Sequence, residues 1–131
     1  MKNRVLIVED DLALRPLWEF VLLKQFTEYH LDWAMSAEEA KQMLSASIKF
    51  DAPYALIVTD FFLMGVETGL DVLRHAARGF HHCPIILVSQ VDEDILRRVY
   101  GEALEDMLVL TKPVSASQCG VALDKFFSVD K

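Results

Sequence analysis

Five polar side chains that could do chemistry stand at the ends of short apolar runs. Carboxylates in such positions can bind a hard cation or attack phosphorus. A hydroxyl can donate a hydrogen bond, and an ammonium can neutralise phosphoryl oxygens. If the fold brings the run ends together, the set is suited to metal-assisted transfer of a phosphoryl group. The five are Glu9 and Asp10 after the first run, and Asp60, Ser89 and Lys112 at the ends of three later ones.

The apolar runs themselves indicate β-strands. The run Val5–Val8 is too short for a helix and too apolar to keep one face in water, so it predicts a strand covered on both sides. The runs that end at Asp60 and Ser89 have the same character. The predicted strands are 4–8, 30–34, 55–60, 84–89 and 107–110.

The segments between the strands have helical periodicity and helix-end signals. Asp11 can cap the first helix, in which Pro16 is tolerable only within the first turn. Ser36 with Glu39 predicts a capping box for the second helix, and Gly79 is expected to close the third. The predicted helices are 12–26, a segment opening at 36, 69–77, 92–100 and 115–127.

This alternation of strands and helices predicts the fold class. Such a chain forms an α/β fold, in which a doubly wound, five-stranded parallel sheet carries helices on both faces. The 131 residues fit one domain, 1–131, without internal repeats or a long linker. Functional sites in open sheets of this kind lie at the carboxyl ends of the strands. The five polar side chains are therefore expected to converge on one edge of the sheet.

The expected convergence predicts a bound cation. Two carboxylates about 4 Å apart repel by about 4 kcal/mol at an effective dielectric constant of about 20. Such a cluster needs positive charge at neutral pH. All the candidate side-chain ligands are oxygens, which favours a hard ion and Mg²⁺ above all.

Net charge and composition exclude several classes of function. A net charge of −7 argues against nucleic-acid binding through this domain, since phosphate contacts need a basic face. No apolar run approaches the roughly 18 residues of a membrane span, so no membrane contact is expected and a cytoplasmic location is predicted. Cys83 and Cys119 lie far apart without metal-ligand spacing, as expected of plain thiols in a reducing compartment.

The ordered set of motifs resembles the receiver domains of response regulators in two-component signalling, over essentially the whole chain. The motifs are Val5-Leu6-Ile7-Val8-Glu9-Asp10-Asp11, the strand ending at Asp60, the strand ending at Ser89, and Thr111-Lys112-Pro113. The resemblance implies a flavodoxin-like fold with strand order 2-1-3-4-5. It also implies a domain that accepts a phosphoryl group and changes shape, and that catalyses only its own phosphorylation and dephosphorylation.

The resemblance further implies a role for each residue of the site. Asp60 would be the phosphoacceptor, and it would share Mg²⁺ with Glu9, Asp10 and the backbone carbonyl of Phe62. The phosphoryl oxygens would be bound by Ser89 and Lys112.

The resemblance also implies partners. The donor would be a phosphohistidine on a sensor histidine kinase or a phosphotransfer protein. The output would be a downstream protein target or a covalently attached output domain, so the chain is expected to be a stand-alone receiver or the amino-terminal part of a longer regulator. A homodimer is a further expectation.

Four positions depart from the family pattern. Met64 stands where a proline is usual, and the loop before Gly69 is one residue longer than usual. Gln90 follows Ser89 where a very small residue is preferred, so its amide would either crowd the site or hydrogen-bond the phosphoryl group. Val109 stands where an aromatic residue often couples its rotamer to phosphorylation, so that form of switch cannot operate here.

Three rival functions remain as alternatives. A degenerate receiver that docks partners without phosphorylation is the main one. A phosphohydrolase with an aspartyl-phosphate intermediate commonly needs a second acid two residues past the nucleophile, where this chain has Phe62. A flavin-binding relative would need a hydroxyl-rich phosphate loop after the first strand, where acids stand instead.

Two further features have a structural and a functional interpretation. His81 and His82 beside Cys83 could form a metal clip, although no fourth ligand of matching spacing appears. The pair Phe126-Phe127 is expected to lie partly in the hydrophobic core and partly at its rim. Exposure of Ile95, Val99 or Phe127 would indicate a surface for self-association or target binding.

Overall fold

The computed structural model describes residues 3–63, 65–79, 83–105 and 107–127, and within them the predicted parallel sheet is present. The strands are β1 (Asn3–Val8), β2 (Tyr29–Ala34), β3 (Leu56–Asp60), β4 (Ile85–Ser89) and β5 (Leu108–Thr111). The strand order is β2-β1-β3-β4-β5 and every neighbouring pair is parallel, as predicted.

In the described residues, five α-helices cover the two faces of this sheet. The helices are α1 (Arg15–Gln25), α2 (Ala37–Lys49), α3 (Gly69–Ala77), α4 (Glu93–Tyr100) and α5 (Ala116–Phe127). Alternate residues of β1 enter opposite layers: Leu6 and Val8 pack under α2, α3 and α4, whereas Val5 and Ile7 pack under α1 and α5. Burial on both faces explains why the strand sequence is apolar throughout. Within the described segments, none of the helices has the length and apolar character needed to cross a membrane.

The first helix begins later than predicted. A short 3-10 turn covers Leu12–Leu14, capped by the Asp11 carboxylate, which accepts a hydrogen bond from the Ala13 N–H at 3.0 Å. The α-helix starts only at Arg15, which places Pro16 in its first turn. Proline is tolerated there because the first amides of a helix have no intrahelical partner.

The predicted capping box is only half formed, and a complete one lies elsewhere. Ser36 Oγ accepts from the Glu39 N–H at 3.1 Å, but the Glu39 carboxylate accepts from the Met35 N–H instead of the Ser36 N–H. The complete box belongs to α3, where Thr68 and Asp71 cap each other's backbone. The short Asp71 side chain reaches the cap as Glu or Gln does in the usual motif.

One smaller prediction needs correction. The third helix ends at Ala77 as expected, but Gly79 does not adopt a left-handed φ, and its N–H bonds to the Ala76 carbonyl. Phe126 and Phe127 are partly buried against the core, as expected, and Phe127 packs edge-to-face on Phe26 with ring centroids 5.1 Å apart. Ile95 and Val99 on α4 are exposed.

Candidate functional site

Parallel pairing of β1 with β3 brings the acidic side chains together. Val8 pairs with Thr59, so Glu9 and Asp60 follow at the same edge of the sheet. Glu9, Asp10 and Asp60 each present a carboxylate oxygen, and these oxygens lie within 4.8 Å of one another. Glu9 and Asp60 are buried, and Asp10 is partly exposed. The expected convergence of the three carboxylates is therefore present.

Lys112 closes the other side of this cluster. It follows β5, two strands away from Asp60, and its Nζ donates to Asp60 Oδ2 at 2.7 Å. The same Nζ lies 3.0 Å from Glu9 Oε1. Burial acts to lower the pKa of Lys112, but hydrogen bonds and charges from Asp60 and Glu9 outweigh it and raise that pKa. The ammonium is therefore held in its charged form against the carboxylates.

The carboxyl of Glu9 has a raised pKa. Burial is the largest cause that raises its pKa, from 4.5 to about 7, and the charge of Asp60 acts in the same direction. Hydrogen bonds from Lys112 and from the Asp11 N–H, at 3.0 Å, oppose the rise without cancelling it. Because one ammonium faces three carboxyl groups, the cluster can accommodate a further positive charge.

The backbone around Asp60 fixes the direction of its carboxylate. The Phe61 N–H donates to the Val88 carbonyl at 2.8 Å, which continues the β3–β4 pairing past the end of the strand. The Phe62 N–H then donates to Asp60 Oδ1 at 3.2 Å. With Lys112 on Oδ2, both oxygens of Asp60 are oriented before any ligand arrives.

Ser89 lies at the end of β4, beside the cluster, and is fully buried. Its Oγ accepts a hydrogen bond from the Val91 N–H at 2.9 Å, and its carbonyl accepts from the Lys112 N–H at 2.7 Å. The hydroxyl therefore holds the loop that leads into α4, and the backbone of Ser89 positions the segment that carries Lys112.

Gly69 is a positioning residue that the sequence did not reveal. Its N–H donates to the Phe61 carbonyl at 2.8 Å, so the start of α3 lies directly against the backbone of Asp60. A Cβ on Gly69 would come within 2.3 Å of the Asp60 carbonyl oxygen and 2.8 Å of Phe61 Cα. Only glycine permits this approach. The sequence signal was the glycine at the predicted helix start.

Two of the unusual positions, Gln90 and Val109, lie within the described residues. Gln90 is exposed, while Val109 is half-buried and packs against the core layer under α2, α3 and α4. An aromatic contact that the sequence did not predict joins Phe61 to Tyr100 at the end of α4, with ring centroids 5.0 Å apart. Met64, His81 and His82 lie outside the described residues, so their predicted roles stay predictions.

The donor set fits a hard divalent cation. Its three side-chain ligands are carboxylates, and within the described residues no other group of three or more His, Cys, Asp or Glu side chains converges in this way. Neither Cys83 nor Cys119 belongs to such a group, and burial raises the pKa of the Cys83 thiol to about 12 and that of Cys119 to about 11. Glu9, Asp10 and Asp60 are thus the residues that could hold Mg²⁺.

Comparison with known proteins supports the fold. Among solved structures, a response regulator receiver protein from Sinorhizobium medicae superposes with a TM-score of 0.79 at 21% identity, covering 98% of this chain and 96% of that one. The non-phosphorylated HemR receiver domain from Leptospira biflexa gives 0.75 at 23% identity, covering 99% and 98%. The Mn²⁺-bound form of response regulator Rcp1 gives 0.75 at 20% identity, covering 98% and 97%.

These identities are low, and they establish the fold alone. No curated protein matches the sequence. The family profile of the response regulator receiver domain, however, matches residues 5–124, nearly the whole chain. The chain therefore belongs to the response regulator receiver domain family of two-component signalling.

Proposed function

We propose that this receiver accepts a phosphoryl group on Asp60 from a phosphohistidine donor and switches conformation in response. The observation that carries the proposal is the set of contacts around Asp60. It is a buried carboxylate with one oxygen on Lys112 at 2.7 Å and the other on a backbone N–H at 3.2 Å, and two further acids lie beside it.

The proposed transfer is a substitution at phosphorus. A carboxylate oxygen of Asp60 forms the new P–O bond while the P–N bond to the donor imidazole breaks, and that imidazole leaves with the electron pair. In the transition state, the Lys112 ammonium stabilises the negative charge on the oxygens of the phosphoryl group that is being transferred. Hydrolysis of the resulting acyl phosphate by water returns Asp60 to its carboxylate form.

Mg²⁺ belongs to this proposal as the cofactor held by Glu9, Asp10 and Asp60, with the Phe62 carbonyl as a fourth ligand. When bound, it supplies positive charge that neutralises the phosphoryl oxygens and the carboxylates. The convergence of three carboxyl groups beside a single ammonium supports the need for that charge. The chain's own contribution is to orient Asp60 and to hold Lys112 charged.

The conformational response is proposed to begin at Ser89. Its Oγ holds the Val91 N–H at 2.9 Å, at the entrance to α4. If the hydroxyl turns to bind a phosphoryl oxygen, that bond is lost and the loop is free to move. The Phe61–Tyr100 contact offers a second connection, from the residue after Asp60 to the end of α4. This aromatic pair supports coupling to α4 although Val109 cannot provide an aromatic switch.

The proposal extends to the domain and its partners. One receiver domain is assigned to 1–131, of which the family profile covers 5–124. The phosphoryl donor is a sensor histidine kinase or a phosphotransfer protein, and the receiver acts on a protein target or an attached output domain. A donor of this class places the receiver in the cytoplasm. Gln90, exposed beside Ser89, is proposed to tune the lifetime of the acyl phosphate, and Met64 to alter partner docking.

Intact-protein mass spectrometry tests the central step. The natural chain is incubated with a small-molecule phosphodonor, with and without Mg²⁺. The expected result is one phosphoryl adduct that requires Mg²⁺, survives in the control variant Asp51→Asn, and is absent from Asp60→Asn. Asp51 is an exposed acid outside the site, so Asp51→Asn makes the same chemical change without removing the proposed acceptor.

Failure to form an adduct, even with candidate histidine kinases supplied, would contradict phosphoacceptor function. The chain would then be better described as a docking module that works without phosphorylation. An adduct that persists in Asp60→Asn would contradict the assignment of the acceptor.

A further inference from the structure

The loop between β3 and α3 (residues 61–68) meets one side of α2 at two places. Gly65 has a φ of 100°, a value that favours glycine, and a Cβ on it would lie 3.8 Å from both carboxylate oxygens of Glu38. Further along the loop, Glu67 Oε2 accepts a hydrogen bond from Lys41 Nζ at 2.6 Å. Glu38 and Lys41 are three residues apart on α2, and residues so spaced lie on the same side of a helix.

Apolar packing does not hold the outer part of this loop. Val66, between the two contacts with α2, is 94% exposed. The two ends of the loop are better held, because Leu63 packs against the core and the Thr68 N–H donates to Asp71 Oδ2 at 2.8 Å. The segment between these ends therefore depends on its polar contact with Lys41.

The Lys41 ammonium also compensates a partly buried charge. The second oxygen of Glu67, Oε1, is buried and accepts no hydrogen bond from the described residues. A carboxylate in that position is unstable if it loses its cation. Because Glu67 lies on a loop, it can regain contact with water when the loop swings away from α2. Loss of Lys41 should therefore appear as movement of the loop rather than as unfolding of the domain.

The start of the same loop orients the proposed phosphoacceptor. The Phe62 N–H donates to Asp60 Oδ1 at 3.2 Å, which is at the long end of the range for such a bond. The bond from the Gly69 N–H to the Phe61 carbonyl, at 2.8 Å, closes the base of the loop. Phe62 and Glu67 thus belong to one short segment outside that base, and movement at Glu67 is transmitted to the backbone of Phe62.

We infer that Lys41 and Glu67 are positioning residues for the proposed Mg²⁺ site. Their ion pair holds the loop on α2, keeps the backbone of Phe62 against Asp60, and so strengthens Mg²⁺ binding by the acid cluster. Neither residue belongs to that cluster. The inference rests on the proposed function, because it takes the cluster as the place where Mg²⁺ binds.

Isothermal titration of the full chain with Mg²⁺, without a phosphodonor, tests this role. Lys41→Ala and Glu67→Ala should each raise the dissociation constant of Mg²⁺ about 10-fold, as loss of a residue that supports metal ligands does. The double variant should bind Mg²⁺ no more weakly than either single variant, because the same contact is lost in all three.

The two single variants also separate positioning from a simple effect of charge. Lys41→Ala removes a positive charge, and Glu67→Ala removes a negative one. Acting through space alone, the first change would strengthen Mg²⁺ binding and the second would weaken it. Loss of the contact weakens binding in both. Lys49→Ala is the matched control, since it removes an exposed lysine from the last turn of the same helix and should not weaken Mg²⁺ binding.

A second measurement does not depend on Mg²⁺. Backbone order parameters from nuclear magnetic resonance report the mobility of Gly65, Val66 and Glu67 in the metal-free protein. We expect them to fall from about 0.85 in the natural chain to below about 0.6 in Lys41→Ala. Urea denaturation should show that the variants remain folded, because the pair is partly exposed, with side-chain exposures of 32% and 28%.

Four results would overturn the inference. Unchanged order parameters in both single variants would show that the ion pair does not hold the loop. A more mobile loop with unchanged Mg²⁺ affinity would refute the positioning role and leave the proposed function intact. Opposite shifts of affinity in the two single variants would assign the effect to charge alone. A natural chain that binds no Mg²⁺ would instead locate the failure in the proposed metal site itself.

Discussion

The Lys112 ammonium lies between two buried carboxylates, 2.7 Å from Asp60 Oδ2 and 3.0 Å from Glu9 Oε1. The lysine thus stabilises the resting site as well as being poised for a phosphoryl group. Removing one partner from a buried charge cluster leaves the others uncompensated, which costs far more than loss of a surface ion pair. This relationship makes the site testable through stability as well as through phosphorylation.

Substitution of Lys112 should impair both properties. In Lys112→Ala without Mg²⁺, we expect the free energy of unfolding at pH 7 to fall by about 3 kcal/mol, because the carboxylates lose their cation. The phosphorylation rate with a small phosphodonor should fall by about 100-fold, as when one preorganised donor is removed from a transition state. Urea denaturation and time-resolved mass spectrometry measure the two effects.

Lys41→Ala is the matched control for this substitution. Lys41 pairs with Glu67 at 2.6 Å, but both side chains are about a third exposed, at 32% and 28%. Loss of such a pair should cost less than about 1 kcal/mol. Equal destabilisation by the two variants would contradict a special role for Lys112 in the resting site.

The stability of the Mg²⁺-free protein should decrease as the pH rises toward 7. The pKa of Glu9 is raised from 4.5 to about 7 in the folded state, mainly by burial, so the folded chain keeps a proton that the unfolded chain has lost. The resulting stabilisation is complete below pH 4.5 and is lost as the pH passes through about 7. We expect a loss of about 3 kcal/mol over that window, from about 1.4 kcal/mol per pKa unit.

Glu9→Gln tests the assignment of this pH dependence. The amide cannot titrate, so the free energy of unfolding from urea titrations should vary less with pH in the variant than in the natural chain. Added Mg²⁺ should reduce the dependence in the natural chain, because binding favours the ionised carboxylate. Identical pH profiles for the two proteins would show that another group is responsible.

Ser89 should couple the site to the loop before α4. We expect Ser89→Ala to be phosphorylated on Asp60 but to lose the response of Val91, because the Oγ that holds the Val91 N–H at 2.9 Å is absent. Amide chemical shifts before and after phosphorylation measure this response. Ser117→Ala, an exposed serine on α5, serves as the control. A Val91 shift of the same size in Ser89→Ala would contradict the proposed switch.

Two glycine-to-alanine substitutions should have opposite effects. Gly69→Ala places a Cβ within 2.3 Å of the Asp60 carbonyl oxygen, so we expect it to destabilise the fold by about 2 kcal/mol and to slow phosphorylation. Gly120→Ala meets nothing within 4 Å and should stabilise α5 by up to about 1 kcal/mol. Urea denaturation at low protein concentration compares them, and a stable, fully active Gly69→Ala would disprove the positioning role.

The local pattern of the chain was sufficient to predict the sheet and the residues at its edge. Strands that are buried on both faces must be apolar throughout, so runs such as Val5–Val8 are recognisable without any knowledge of their neighbours. The order of acid, acid, hydroxyl and lysine at the run ends placed Glu9, Asp60, Ser89 and Lys112 on one edge, because the carboxyl ends of parallel strands meet there.

Only the tertiary structure decided which atoms meet. Lys112 lies 52 residues from Asp60 in the chain, and its position between two carboxylates depends on the β3–β4–β5 register and on the bond from its N–H to Ser89. The Glu39 carboxylate caps Met35 rather than Ser36, although the sequence motif allowed either. The approach of Gly69 to Asp60 likewise appears only when α3 is packed on the sheet. Sequence pattern reports which face of an element is buried, whereas contact distances depend on how all the elements pack at once.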